Sequence, residues 1–202
     1  MNDPIIIASE VPELAFHQIV AAWDALPESV RDVVVDGGYK ITVARRLADV
    51  YPEIAYKHPR GYPEGTTYRN SEGYCDRDQR QIVICQQRLD GCRYINSARL
   101  AGALRHEAGH AYYACVGASA SAVFRDAYFE DTCSGESPPY FLLDGAAGRE
   151  EAFAEVFAQR LGGGSTQNLR GAFAAVDGMI ARILRDGPSM LDAGVLASFQ
   201  PR

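Results

Sequence analysis

Arg105-His106-Glu107-Ala108-Gly109-His110 is the stretch on which the reading of this chain turns. Residues four apart lie on one face of a helix, so the imidazoles of His106 and His110 can reach a single metal ion. Glu107 is rotated by about 100° from His106, which sets its carboxylate beside such an ion and not on it. From there it can act as general base toward water, and the ion this donor pattern selects is Zn2+. The flanks support a helix from Ala98 to about Cys115. Ser97 suits an N-cap, Leu100, Leu104, Ala108, Ala111 and Cys115 form an apolar stripe, and Gly117 follows as a stop. Gly109 is expected to leave room near the metal. The bland alternative is two histidines at this spacing by accident on a solvated helix, a rare coincidence in a chain with only four histidines.

A catalytic zinc ion takes three protein ligands and a water. The other two histidines, His17 and His58, do not continue the motif into HExxHxxGxxH, so a carboxylate is the better third ligand. The segment Arg149-Glu150-Glu151-Ala152-Phe153-Ala154-Glu155-Val156-Phe157 reads as a helix returning after a loop. Glu151 and Glu155 are four apart and share one face, while Phe153 and Phe157 occupy another. One carboxylate can ligate zinc while the other orients a ligand histidine through its second ring nitrogen. Taken alone, the pattern is equally an acidic helix surface near a favourable N-terminus. Paired with HExxH, the metal reading leads.

Working outward, helical spacing runs through Leu14, Phe16, Ile19, Val20 and Trp23, which predicts a helix over 13–25. A second short helix is expected from Pro27 to about Val35, stopped at Gly37-Gly38. Lys40 to Ala44 and Gln81 to Gln86 read as strands, with further short strands at 66–69 and at Tyr74-Cys75-Asp76 after a turn at Ser71-Glu72-Gly73. Arg45 to Val50 is expected to be a short helix ending ahead of Pro52, with Arg45-Arg46 on its solvated face. Residues 117–148 read as irregular. Arg149 to Leu161 is a helix stopped by Gly162-Gly163-Gly164, Ser165 caps another through about Arg185, and the tail after Pro188 is loosely held. The expected fold class is α+β: a small three- or four-stranded sheet packed on the HExxH helix, followed by a mainly helical carboxyl-terminal part. A single domain over 1–202 divides into helices plus sheet (about 1–95), zinc-site helices (96–162) and a last helix with its tail (163–202).

Composition narrows the function. A chain of 202 residues with 47% hydrophobic content can bury a proper core. A formal net charge of -6 and scattered arginines argue against nucleic acid as partner. No stretch approaches the ~20 apolar residues of a membrane span. Met1-Asn2-Asp3-Pro4 lacks the basic region of a secretory signal before Ile5-Ile6-Ile7-Ala8, so the compartment stays open. The five cysteines form no CxxC pair. Cys115 reads as a small core residue, and Cys75 is within hairpin reach of Cys85 or Cys92.

The HExGH helix followed by the Glu151-x-Phe153-Ala154-Glu155-x-Phe157 helix resembles the zincin-like metallopeptidases typified by the anthrax lethal factor catalytic domain and the clostridial Pro-Pro endopeptidases. Leu26-Pro27, Pro59-Arg60-Gly61-Tyr62 and Gly65-Thr66-Thr67-Tyr68 are similar to the segment before that family's small sheet. The resemblance covers about residues 20–162. It implies a zinc endopeptidase acting on a protein or peptide, with His106, His110 and Glu151 as ligands, Glu107 as general base and Glu155 supporting a ligand from behind. It also implies a toxin or delivered-effector role and a preference for proline. The family's oxyanion-binding tyrosine, seven residues before the glutamate ligand, is replaced here by Asp144. Tyr140 is the nearest substitute, with Tyr112 and Tyr113 as others. That departure keeps a second reading alive, a zinc-binding interaction module without turnover. An extended substrate is expected to add as a strand at the sheet edge near residues 81–87.

Overall fold

The β-branched run Ile82-Val83-Ile84 lies at the centre of a four-stranded sheet, buried on both faces, as an internal strand requires. The computed structural model describes residues 4–59, 62–133, 138–142, 146–164 and 167–191. Strands β1 (Ile5–Ile7), β2 (Lys40–Ala44), β3 (Gly73–Asp76) and β4 (Gln81–Cys85) assemble in the order β1-β2-β4-β3. β1, β2 and β4 are parallel, and β3 runs antiparallel to β4 along one edge. Alternation sorts the side chains: Ile41, Val43, Ile82 and Ile84 face the main core, while Ala44, Val83 and Cys85 face a smaller cluster with Leu47 and Ala55.

Helices α1 (Glu13–Asp24), α2 (Glu28–Asp36) and α4 (Leu100–Cys115) cover the main-core face of the sheet. Helices α5 (Ala122–Cys133), α6 (Ala146–Arg160) and α8 (Ala174–Asp186) build the helical remainder. Phe124, Tyr128, Phe141, Phe153 and Phe173 join them in a continuous aromatic core. α4 and α6 approach very closely. A Cβ added at Gly109 would stand 2.9 Å from the Ala154 Cα.

Several local expectations change. Residues 45–50 hold only a 3-10 turn at Leu47–Asp49, and Pro52 opens the short helix α3 (Pro52–Ala55) at the position where its missing N–H costs nothing. Arg45 and Arg46 are not on a helix face; both donate through Nε to Gln87 Oε1, at 3.3 and 3.2 Å. Residues 68–70 form a 3-10 turn in place of a strand, because Asn70 Oδ1 accepts from Thr67 N–H at 2.9 Å. The turn that pairs β3 with β4 is 77–80, where Asp76 Oδ1 accepts from the N–H groups of Asp78 and Gln79.

Four elements were not read from the sequence at all. β1 forms from the apolar run Ile5-Ile6-Ile7, and β5 (Gln87–Asp90) with β6 (Arg93–Asn96) makes a separate hairpin. α5 lies inside the segment read as irregular. Ser97 does not cap α4: Arg99 is the cap residue, and Ser97 Oγ donates to Glu72 Oε1 at 2.9 Å. Ser165 lies outside the described residues, and the helices beyond it are α7 (Leu169–Ala172), capped by Asn168, and α8. All five cysteines are free. Cys75 pairs across the ladder with Ile82 and turns to the face opposite Cys85.

Candidate metal centre and cleft

The close, antiparallel packing of α4 on α6 brings the two sequence motifs together: His106 meets Glu155, and His110 meets Glu150 and Glu151. Gly109 makes this possible by facing the α6 backbone. It does not open space at the metal, as the sequence reading supposed. Each imidazole has its own carboxylate behind it. His106 Nδ1 lies 2.9 Å from Glu155 Oε2, and His110 Nδ1 lies 3.0 Å from Glu150 Oε1. With both Nδ1–H groups donating to carboxylates, the Nε2 atoms are left to face one another at 3.1 Å.

Glu151 completes the group, at 3.5 Å from His106 Nε2 and 3.7 Å from His110 Nε2. The ligand atoms of His106, His110 and Glu151 all lie within 4.8 Å of one another. Bonds of roughly 2.0–2.1 Å in tetrahedral geometry put neighbouring ligand atoms about 3.3 Å apart, and these three separations bracket that value. Two imidazole nitrogens and a carboxylate oxygen are also the donor chemistry that zinc takes, so the residues fit the ion. Without an ion, a proton competes for the same imidazole. Burial works against charge on His106, yet its hydrogen bonds to Glu151 and Glu155 and the nearby Glu107 hold its pKa well above the ordinary value. Glu151 is also penalised by burial, but His106, His110 and Tyr140 bring its carboxyl down to about 2.

Glu107 lies beside the three donors and under β3, where a Cβ at Gly73 would stand 2.7 Å from Glu107 Oε1. Its side chain is buried, and that burial pushes the carboxyl above its usual range despite the neighbouring imidazoles. Gly73 forms the wall above it: a Cβ there would come within 2.6 Å of Glu107 Cγ, so only glycine lets the strand pass over this carboxylate.

Tyr140, on the 3-10 turn Pro139–Leu142, hydrogen-bonds Glu151 and Tyr62, and its ring stands edge-on to Tyr62 at 5.5 Å. Burial raises its phenol pKa far above the ordinary value, which keeps it a hydrogen-bond donor. Asp144 lies outside the described residues. Tyr112 stacks on Phe157 and Tyr113 packs between Phe124 and Phe153, so both are core residues and neither lines the cleft. His58 bonds Thr66 O and His17 lies near Glu13; neither joins the site.

Two residues of the site were missed in the sequence. In the sequence Glu150 is hidden behind the i,i+4 pair Glu151–Glu155, although Arg149-Glu150-Glu151 carries a further carboxylate on the adjoining face. Arg77 holds it from the other side, its Nη1 donating to Glu150 Oε2 at 2.8 Å. Tyr62 lay in a loop with no readable period.

These groups line a cleft of about 1110 Å³ between the β3 edge and α4, α6 and the Tyr140 turn. β4 is internal, so the exposed edge beside the site is β3 and not residues 81–87. Cys85 N–H donates to Glu72 O, which fixes the alternation of the antiparallel ladder. Gly73 and Cys75 fall at its non-hydrogen-bonded positions, with N–H and C=O directed outward along the cleft.

No family model matches the chain, and no curated protein matches it. Among solved structures, the fold is similar to that of the Pro-Pro endopeptidase PPEP-2 from Paenibacillus alvei. The two agree with a TM-score of 0.62 at 19% sequence identity, over 89% of this chain and 96% of that one. At that identity the likeness is one of fold: an α+β arrangement with a small mixed sheet and a mainly helical remainder.

Proposed function

We propose that this chain is a zinc-dependent endopeptidase. The observation that carries the reading is the convergence of the two Nε2 atoms and the Glu151 carboxylate on one point, with both Nδ1 atoms already committed to Glu150 and Glu155. His106, His110 and Glu151 would hold the ion, which when bound supplies Lewis-acid polarisation of the scissile carbonyl and acidifies water at the site. Glu107 takes a proton from that water and returns one to the departing amine. Tyr140 donates to the oxyanion of the tetrahedral species, supplying the group that Asp144 cannot. The peptide lies extended along Gly73–Asp76, its backbone pairing with the outward groups of Gly73 and Cys75.

The fold likeness and the aromatic wall of Tyr62, Tyr68 and Tyr140 put proline-containing peptides first among substrates to try, since aromatic-lined grooves suit the proline ring. The alternative is a zinc-binding interaction module without turnover. Glu107, which ligates nothing, argues for the enzyme. The test is zinc content per purified chain together with cleavage of a proline-containing peptide pool. The enzyme reading expects about one zinc, lost in Glu151→Ala, and cleavage abolished in Glu107→Gln with zinc retained. Zinc without cleavage would leave the interaction module; no zinc after resupply would end both.

A further inference from the structure

The cleft is electrically polarised along β3. At the carboxyl-terminal end of the strand stand Asp76, Asp78 and Glu150, with Arg77 committed to Glu150 at 2.8 Å. At the amino-terminal end, Glu72 receives Ser97 Oγ at 2.9 Å, Arg88 Nε at 3.5 Å and Arg99 Nε at 3.4 Å. The exposures decide which of these groups faces a ligand. The Glu72 side chain is 16% exposed, against 35% for Arg88 and 51% for Arg99. One tucked carboxylate thus balances one of two arginines, which leaves one positive charge in excess at this end of an otherwise acidic cleft. Both arginines meet Glu72 through Nε at distances long for a charge-assisted hydrogen bond. Neither has another side-chain partner among the described residues, so their Nη forks are free for bidentate recognition.

We propose that Arg88 and Arg99 form a carboxylate-recognition subsite of the cleft, selecting peptides that carry a carboxylate one or two residues to the carboxyl side of the cleaved bond. The position follows from the ladder. Antiparallel addition, the slightly more stable pairing, runs a peptide from the Asp76 end toward Glu72. Glu107 lies beneath Gly73, and Glu72 is the next residue along, so the chain passes the arginines immediately after the reacting bond. The anionic far end discourages the reverse orientation of an acidic segment. The carboxylate has two possible sources, an internal Asp or Glu or a free chain terminus. The proposal rests on the peptidase reading.

The test uses zinc-loaded protein and internally quenched peptide pools of three kinds: Asp/Glu at positions following the bond with an amidated terminus, the matching Asn/Gln pools, and neutral pools with a free terminal carboxylate. The acidic or the free-terminus pool should be cleaved about tenfold faster than the Asn/Gln pool, and which one leads identifies the source. In Arg88→Gln/Arg99→Gln the acid-over-amide ratio should fall toward one, and in the unaltered protein it should shrink with added salt. Anisotropy of the same peptides, fluorescently labelled and bound to zinc-loaded Glu107→Gln, reads the preference without turnover. Equal cleavage and equal binding of charged and amide pools overturns the subsite and leaves the peptidase intact. No cleavage of any pool, with the binding preference present, overturns the peptidase reading and leaves the subsite.

Discussion

On the proposed metal site, Gly109→Ala should weaken zinc binding without altering any of the three proposed ligands. The added Cβ would stand 2.9 Å from Ala154 Cα and 3.0 Å from Ala154 O, both backbone atoms that cannot rotate away. Relief to ordinary contact requires α4 and α6 to separate by about half an ångström, several times less than a methyl diameter but large for a metal site. His106 and His110 ride on α4 and Glu151 on α6, so their separations of 3.5 and 3.7 Å would lengthen directly. Metal bonds tolerate roughly 0.2 Å, and loss of such support typically costs about 10–100-fold in affinity. For stability, alanine gains about 1 kcal/mol of helix propensity over glycine, against roughly 1–3 kcal/mol of overpacking. The net is destabilisation of up to about 2 kcal/mol, a Tm lower by roughly 4–8 °C at this chain length. Gly178→Ala is the control, because that glycine sits in α8 with nothing within 4 Å of its added Cβ. It should gain about 0.5–1 kcal/mol and keep its zinc. The assay is competition for zinc against a chromophoric chelator, with thermal unfolding of the zinc-free forms. If Gly109→Ala stabilises the protein as Gly178→Ala does and binds zinc as tightly as the unaltered chain, the argument from helix contact is wrong.

Tyr140→Phe should lower kcat about 10²–10³-fold with zinc content unchanged, read by cleavage of a peptide the unaltered protein accepts; an unchanged kcat would remove Tyr140 from the mechanism. Asp131, buried on α5, accepts from the Ala175 and Val176 N–H groups at 3.0 and 2.9 Å and so holds the first turn of α8. Asp131→Ala should cost about 2–3 kcal/mol, seen as a Tm lower by roughly 5–10 °C. Asp177 is disfavoured by burial, yet hydrogen bonds from Arg170 and Arg160 hold its pKa below the ordinary 3.8. Its contribution is therefore complete above about pH 4 and is lost as pH falls through the lower folded value. Asp177→Asn should flatten that acid limb in urea titrations at pH 7 and pH 3, and an equally steep limb in the variant would refute the linkage.

What could be read in the sequence was what local spacing determines. HExxH needs only the i,i+4 spacing of one stretch of helix to bring His106 and His110 together. The Glu151–Glu155 pair needs only one further helix, so the candidate ligands were legible before any tertiary contact was known. β4 announced itself through an unbroken β-branched run, and α1 through its period. The elements that escaped depend on partners. Ile5-Ile6-Ile7 is too short to be a strand until β2 offers its edge, and Thr66–Arg69 had strand composition but Asn70 captured its backbone. The β5–β6 hairpin did carry a signal, Gly91 at φ 58° opening the two-residue turn Gly91-Cys92, which the run of polar residues around it obscured. α5 carried one too. Ser121 Oγ accepts from Phe124 N–H, but the inward Asp131 interrupts the apolar stripe by which a helix is recognised.

Glu150 shows why the rest of the site required the fold. On α6 alone, three carboxylates at 150, 151 and 155 are indistinguishable as chemistry, and helical spacing favours the 151–155 pair as one unit. The antiparallel approach of α4 breaks that equivalence. It sets Glu155 behind His106 and Glu150 behind His110, and it leaves Glu151 on the open side between the two Nε2 atoms. Each carboxylate's role is then a consequence of helix packing, and that packing depends on the absence of a side chain at Gly109. The same reasoning explains the charge arrangement. Two anions behind the histidines make their Nε2 atoms better donors, while Arg77 on the far side of Glu150 limits the accumulated negative charge. A site assembled this way has its donors oriented before a metal arrives, so the ordering of side chains has already been met by folding and binding need not supply it.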